Sequence, residues 1–138
     1  MKIKILLFAI PLLFVFCSDS NSQPGPGFSG EHPIQVQLKE KGNGLFELEL
    51  FLPPDFGFQK EAPHRISLSG LSGLKVKSAN LSLSGPSHPK KAEYFEYVKP
   101  LGVVLEGKGK LEMNAKLFYC NFKKNICIPA NLSQSFSI

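Results

Sequence analysis

The sequence predicts an all-β protein: an antiparallel, immunoglobulin-like β-sandwich of about seven to nine strands that follows a signal peptide and a flexible tether. Three observations lead to this prediction. Short segments with alternating apolar and polar residues recur throughout residues 32–138. Glycine and proline turn signals separate these segments. No segment carries the apolar stripe that is typical of an amphipathic helix.

Residues 1–16 have the organisation of a lipoprotein-type signal peptide. A short basic start precedes an unbroken apolar run from Ile5 to Phe16, and polar residues follow at once. The run is shorter than the roughly 20 apolar residues that a membrane-spanning helix needs. A basic start and a polar exit are typical of an export signal. The alternative is a buried N-terminal helix, but the proline and glycine residues that follow do not continue one.

Cys17 is the candidate lipidation site. It follows the apolar run directly and so resembles the acylated cysteine of bacterial lipoproteins. Val15 is acceptable in such a signal, whereas Phe16 stands where a small residue is expected. Cleavage a few residues further on, or a free thiol, is the alternative. An odd cysteine in an exported chain favours lipidation, so we expect a periplasm-facing or outer-membrane lipoprotein of the bacterial cell envelope.

Residues 17–31 form the predicted linker, beginning at the lipidated Cys17. They are rich in Ser, Asn, Gly and Pro, a composition that cannot bury enough apolar area to order itself. Residues 32–138 then form one small domain. Removal of the leader, with Lys2 and Lys4, lowers the formal charge from +5 to +3. Basic and acidic residues are interspersed, so the sequence does not support a nucleic-acid-binding surface. The small positive charge is explained either by an acidic partner or by solubility alone.

The strands are predicted from alternation along the domain. Residues 34–39 and 46–50 alternate between apolar and polar side chains, and the glycine-rich turn 41–44 between them predicts a hairpin. The most regular alternation of the chain covers residues 111–117. Further strands are predicted at residues 66–69, 74–77, 81–84, 94–98 and 103–105.

Two cysteines flank the connection between the last two predicted strands. Cys120 ends one strand, Cys127 begins the next, and six residues separate them. Facing positions of an antiparallel hairpin lie within the Cα separation that a disulfide needs, roughly 4.4–6.8 Å, and an exported compartment allows the bond to form. We therefore predict a disulfide. It is either a staple worth about 2 kcal/mol, or a redox couple whose thiolate Lys123 and Lys124 would favour.

The segment from Leu52 to Ile138 resembles the β-sandwich family of the N-terminal domain of the thiol:disulfide interchange protein DsbD. It is even more similar to the β-domain that closes thioredoxin-like, NHL-repeat-containing proteins. The resemblance rests on a loop with Pro, Gly and aromatic residues and on a strand end with an aromatic-Cys pair. These stretches are Leu52-Pro-Pro-Asp-Phe-Gly-Phe-Gln-Lys-Glu-Ala-Pro63 and Leu117-Phe-Tyr-Cys120 with Cys127-Ile-Pro129.

The resemblance to the DsbD-like branch implies a catalytic role for Cys120 and Cys127. The pair would take part in thiol–disulfide exchange with a thioredoxin-like or membrane redox protein, since the chain has no thioredoxin motif of its own. Two positions depart from the family. Gln59 stands where the family often has His, and Glu61 lies near its frequent Asn.

The remaining candidates are aromatic residues and histidines. Phe56, Phe58 and Tyr119 are candidates for a cap or partner surface, with core packing as the alternative. The three histidines lie in separate loop-like segments beside prolines, where solvated side chains are commoner than metal ligands. The sequence indicates no metal site and no cofactor. Three functions compete: a disulfide-exchange protein, a binding module with the disulfide as a staple, and a structural envelope component.

Overall fold

The computed structural model describes residues 32–138 of the chain. The predicted signal peptide, Cys17 and the linker lie outside the described residues. Ten strands run through the described part: β1 (Gln35–Gly42), β2 (Leu45–Phe51), β3 (Phe56–Phe58), β4 (Arg65–Leu71), β5 (Lys75–Ala79), β6 (Ser87–His88), β7 (Lys91–Phe95), β8 (Leu101–Glu106), β9 (Lys110–Asn121) and β10 (Ile126–Ser137).

The prediction of an all-β, antiparallel fold is confirmed. Every strand pairing in the described residues is antiparallel, and none of these residues forms a helix. The count of ten exceeds the predicted range, and two of the strands, β3 and β6, are only three and two residues long. The immunoglobulin-like order of the strands stays a prediction. No helix in this part of the chain is long and apolar enough to cross a membrane.

Two four-stranded sheets form the sandwich. The first has the order β1-β2-β8-β5, and in the second β9 pairs with β10 on one side and with both β3 and β4 on the other. The ribbon of β6 and β7 extends the second sheet, because Gln59, just after β3, forms a bridge with Tyr94 of β7. The long strand β9 therefore has strand neighbours on both sides along most of its length, whereas β10 lies at the edge of the sheet within residues 32–138.

The core lies between the two sheets and follows the alternation in the sequence. Apolar side chains at every second position of a strand point to one face, and here that face is buried. Phe46, Leu48 and Leu50 of β2 are buried, and the row continues in β8 and β9. The buried members from β8, β9 and β10 are Leu101, Val103, Leu105, Leu111, Met113, Ala115, Leu117, Tyr119, Ala130 and Leu132.

The predicted first hairpin is confirmed. β1 and β2 pair from Gln35 opposite Phe51 to Gly42 opposite Leu45. The turn needs three successive residues in the left-handed region, with φ angles of 93° for Gly42, 54° for Asn43 and 75° for Gly44. Glycine and asparagine tolerate this conformation better than other residues, which is why this short sequence forms the turn.

The prediction of a strand at residues 81–84 is wrong. Leu83 packs against the core and Leu81 is half-buried, so the segment alternates like a strand. The stretch next to it, residues 96–100, is irregular, however, and only isolated backbone hydrogen bonds join the two segments. At one end, Lys99 N–H donates a hydrogen bond of 2.8 Å to the Ser84 carbonyl. At the other end, Asn80 N–H donates one of 3.0 Å to the Gly102 carbonyl. Alternating burial alone therefore does not make a strand without a partner ladder.

Candidate functional site

The predicted bond between Cys120 and Cys127 is confirmed. The two cysteines face each other across the β9–β10 hairpin, with Cα atoms 3.9 Å apart and sulfurs joined as a disulfide. One further residue pair, Asn121 and Ile126, lies beyond them before the turn. The Asn121 side chain holds this turn, because its Oδ1 accepts hydrogen bonds of 3.0 Å from the N–H groups of Lys123 and Lys124.

The two sulfurs of the disulfide lie in different environments. Cys120 is only 2 % exposed. It lies on the inner strand β9, opposite Cys127 of β10 on one side and Gly57 of β3 on the other. Cys127 belongs to the edge strand β10 and is exposed. Cys127 is therefore the solvent-facing cysteine of the pair, while Cys120 is shielded.

Two polar side chains lie beside the exposed sulfur. Nε2 of Gln59 is 3.6 Å from Sγ of Cys127, and the phenol oxygen of Tyr94 is 3.9 Å from the same sulfur. A disulfide sulfur carries no hydrogen, so in this state both groups are donors. The Gln59–Tyr94 bridge between the end of β3 and β7 brings these residues to the disulfide from strands that are distant in sequence.

An aromatic cluster supports Tyr94 at this position. Its ring packs edge-on against Phe122 with centroids 5.0 Å apart, and His88 contacts the same Phe122 ring at 5.6 Å. Lys91 Nζ lies 5.2 Å from the centroid of that ring. The space for the Phe122 ring comes from Gly57, because a Cβ there would lie 2.6 Å from Phe122 Cζ and 3.2 Å from Tyr94 Cβ.

His64 holds the backbone of Gln59 in place. Its Nδ1 accepts a 3.2 Å hydrogen bond from Phe118 N–H, so Nε2 carries the hydrogen and donates to the Gln59 carbonyl at 2.6 Å. Burial lowers the pKa of the imidazole below its ordinary value of 6.5 and outweighs the opposite effect of the Gln59 bond. The expectation of a solvated loop histidine is therefore wrong for His64, which is half-buried and neutral at pH 7.

Within residues 32–138, the polar contacts of the Cys127 sulfur come from Gln59 and Tyr94 and not from the lysines of the β9–β10 turn. Lys123 forms an ion pair with Asp55 at 2.8 Å, and both side chains are largely exposed. Such an exposed pair contributes little to stability. The Asp55 carboxylate does, however, compensate the positive charge of Lys123, which the sequence had suggested as a stabiliser of the thiolate. The groups in contact with Cys127 are instead neutral donors.

The three predicted aromatic candidates lie in or against the core. Phe58 and Tyr119 are 4 % and 3 % exposed, so neither ring is available to a partner as a cap. Phe56 is half-buried, packs against Tyr119 with centroids 5.9 Å apart, and lines an apolar cavity of about 270 Å³ behind β3. Core packing therefore describes Phe58 and Tyr119, while Phe56 packs against the edge of the core.

The residues that complete the site were only partly visible in the sequence. In the sequence, Gln59 stands out as a departure from a family pattern and Tyr94 as the first residue of a predicted strand, but nothing links either to Cys127. Comparison with protein-family models, with curated proteins and with solved structures finds no match to this chain.

Proposed function

We propose that this protein takes part in thiol–disulfide exchange through Cys120 and Cys127. The observation that supports this most directly is the asymmetry of the pair, in which Cys127 is exposed and Cys120 is buried. A bond that only staples a hairpin needs no accessible sulfur and no donors beside it. Gln59 and Tyr94 supply two such donors at the exposed sulfur.

The exchange begins when a thiolate of a dithiol partner attacks Sγ of Cys127. A mixed disulfide forms, the Cys120–Cys127 bond breaks, and Cys120 Sγ leaves as a thiolate that takes up a proton. The second partner thiolate then attacks the partner's own sulfur in the mixed disulfide and releases Cys127. This protein gains two electrons and the partner becomes a disulfide. The reduced pair can pass the electrons to another disulfide by the reverse steps.

The two donors act on the Cys127 sulfur whenever it carries negative charge. Hydrogen bonds from an amide N–H and a phenol O–H favour a thiolate over a thiol. Both donors are neutral, so they stabilise the charge without attracting anions non-specifically. The same contacts hold the edge strand β10 against the β3–β7 corner, so the sulfur stays in a fixed position before attack.

We also propose that the protein works at the bacterial cell envelope as an exported lipoprotein anchored through Cys17. The apolar leader and the position of Cys17 support this, and an oxidising compartment agrees with a disulfide at rest. The partner we propose is a thioredoxin-like or membrane redox protein, because this chain has no thioredoxin motif. The resemblance to the DsbD N-terminal domain family supports the same assignment from the sequence alone.

The test is to trap the mixed disulfide in cells that express the full chain. The Cys120→Ala variant keeps Cys127 as a free thiol that can attack the disulfide of an oxidised partner, the reverse of the steps above. It lacks Cys120, the thiol that would resolve the mixed disulfide in that direction, so it should accumulate an adduct that reductant releases. The matched Cys127→Ala variant keeps only the buried sulfur and should accumulate little. Equal trapping by both variants, or none by either, would contradict the proposal.

The reduction potential of the pair separates the exchange function from the staple. A redox carrier should have a potential above about −300 mV, whereas structural disulfides commonly lie below that value. Equilibration of the full chain with glutathione buffers, followed by thiol alkylation and mass spectrometry, measures it. A bond that mild reductant leaves intact would favour the alternative, a binding or structural module in which the disulfide only pins the hairpin.

A further inference from the structure

The outer face of the second sheet carries a polar groove that the disulfide chemistry does not use. The groove has a volume of about 790 Å³ and is open to solvent. Its floor crosses the three strands β4, β9 and β10, and Leu81 and Ser82 line one side. Apolar residues contribute to the lining as well, namely Ile66, Leu81, Ala115 and Leu132. We call it the polar groove after the polar and charged residues that line it, Arg65, Ser67, Asn114, Lys116, Asn131 and Ser133.

The strand register arranges these six residues in two rows. Arg65, Lys116 and Asn131 are directly opposite one another on the three strands, and they form the first row. Because neighbouring strands lie about 4.8 Å apart, a row spans roughly 10 Å. The second row lies two residues further along each strand and consists of Ser67, Asn114 and Ser133. The groove therefore offers cations in one row and small polar groups in the next.

Hydrogen bonds within the second row orient Asn114 towards a ligand. Ser133 Oγ donates to Asn114 Oδ1 at 2.6 Å, and Ser67 Oγ donates to the Asn114 backbone carbonyl at 3.3 Å. The side-chain oxygen of Asn114 is thus occupied, and its Nδ2 remains as a donor. Hydroxyls and an amide in fixed positions are the groups that bind the hydroxyls of a sugar.

The two cations of the first row are available to a ligand. None of the ion pairs within residues 32–138 involves Arg65 or Lys116, and both side chains are exposed. Lys116 Nζ lies 5.7 Å from the Phe118 ring, which leaves its hydrogens free to donate. The carboxylate on the same face, Glu112, belongs to the following row and does not line the groove. The groove is therefore locally positive.

We infer that the polar groove binds an acidic oligosaccharide, a short sugar chain that carries carboxylates. The cations match the carboxylates, and the Ser and Asn groups match the hydroxyls. The volume lies within the range of about 300–1,000 Å³ that is usual for ligand sites, and the open shape suits an extended chain better than a single enclosed anion. Two cations are too few for the footprint of a nucleic acid. This inference does not depend on the disulfide exchange.

Titration of the purified full chain with tetragalacturonate, followed by calorimetry, tests the inference. Saturable binding is expected. The Arg65→Gln/Lys116→Gln variant should bind about tenfold more weakly or worse, because two charge-assisted hydrogen bonds are lost. The matched control is Lys99→Gln/Lys108→Gln, which removes the same charge at exposed positions outside the groove. This control should bind as the unmodified chain does.

Several results would overturn the inference. Equal weakening in both double variants would mean that only net charge is sensed. Equally tight binding of a neutral galactose tetramer would show that Arg65 and Lys116 do not contribute to ligand recognition. Full displacement of the tetragalacturonate by an equal concentration of sulfate would show that the groove binds single anions. Absence of heat and of NMR shifts at about 10 mM ligand, a concentration that detects millimolar affinity, would also overturn it. Circular dichroism of each variant verifies the fold.

Discussion

Gln59 and Cys127 are 68 residues apart in sequence, yet the amide nitrogen of the first lies 3.6 Å from the sulfur of the second. The contact exists because β3 and β10 pair with opposite sides of β9 and Gln59 lies at the end of β3. Cys120 occupies the protected centre of this arrangement and Cys127 its edge. The two sulfurs of one bond thus differ in access and in hydrogen bonding.

Removal of the donors should make the reduced Cys127 less reactive. In the Gln59→Leu and Tyr94→Phe variants, the reduced protein should react with iodoacetamide about two- to tenfold more slowly at pH 7, because a lost hydrogen bond lowers the thiolate fraction. Mass spectrometry of the alkylated peptide measures the rate at Cys127. Tyr97→Phe is the control, since Tyr97 is exposed and has no contact with a sulfur. An unchanged rate in both donor variants would argue that these contacts do not act on the thiolate.

A methyl group at Gly57 should destabilise the site. The added Cβ would lie 2.6 Å from Phe122 Cζ and 3.2 Å from Tyr94 Cβ, so the aromatic cluster would have to move. We expect Gly57→Ala to lower the free energy of unfolding by about 1–3 kcal/mol, the usual cost of overpacking. Urea denaturation measures it.

The matched control for Gly57 is Gly102→Ala in β8. A Cβ at Gly102 would meet no atom within 4 Å, so its free energy of unfolding should stay the same or rise slightly as the flexibility of the unfolded chain falls. Equal destabilisation by both substitutions would show that the contact with Phe122 is not the cause.

Acid should weaken the fold through His64. Folding lowers the pKa of this imidazole below 6.5, so the unfolded chain binds the proton more tightly than the folded one. The contribution of neutral His64 to the stability of the fold is complete above pH 6.5. It is lost as the pH falls through the lower pKa that this imidazole has in the folded state. Protonation also places a hydrogen on Nδ1, where Phe118 N–H now donates.

The pH effect can be isolated with His64→Gln, a side chain that can keep one donor and one acceptor but does not titrate in this range. The free energy of unfolding of the unmodified chain should fall as the pH decreases below 6.5, and the variant should show a smaller fall. Urea denaturation at several pH values gives both curves. Parallel curves would assign the pH dependence to other groups.

Loss of the disulfide should weaken the fold without abolishing it. The bond closes a short loop, so the Cys120→Ala/Cys127→Ala variant should lose about 2 kcal/mol of unfolding free energy in the loop-entropy model. The core cluster between the sheets includes neither cysteine, so its packing should persist without the bond. The unmodified chain under strong reductant should show the same loss in urea denaturation. Failure of the variant to fold would mean that the bond is essential to the structure.

The parts of the fold that were predictable are those encoded by neighbours in sequence. Alternation identified β2, β8 and β9, and the glycine-rich turn identified the β1–β2 hairpin, because side-chain direction in a strand and tolerance of positive φ are local properties. Cys120 and Cys127 could be paired for the same reason, since they share one hairpin. Residues 81–84 show the limit of the method: Leu81 and Leu83 alternate, but a ladder also needs a partner strand.

The sequence alone determined the all-β class and the disulfide between Cys120 and Cys127, because both follow from periodicity and from contacts across one short turn. Only the tertiary structure decided that Cys127 is the accessible sulfur, that Gln59 and Tyr94 donate to it, and that Arg65 lies opposite Lys116. These relationships join segments that are distant in sequence, and the order in which strands assemble around β9 sets them. That order is fixed by packing of the whole core, which no local pattern reports.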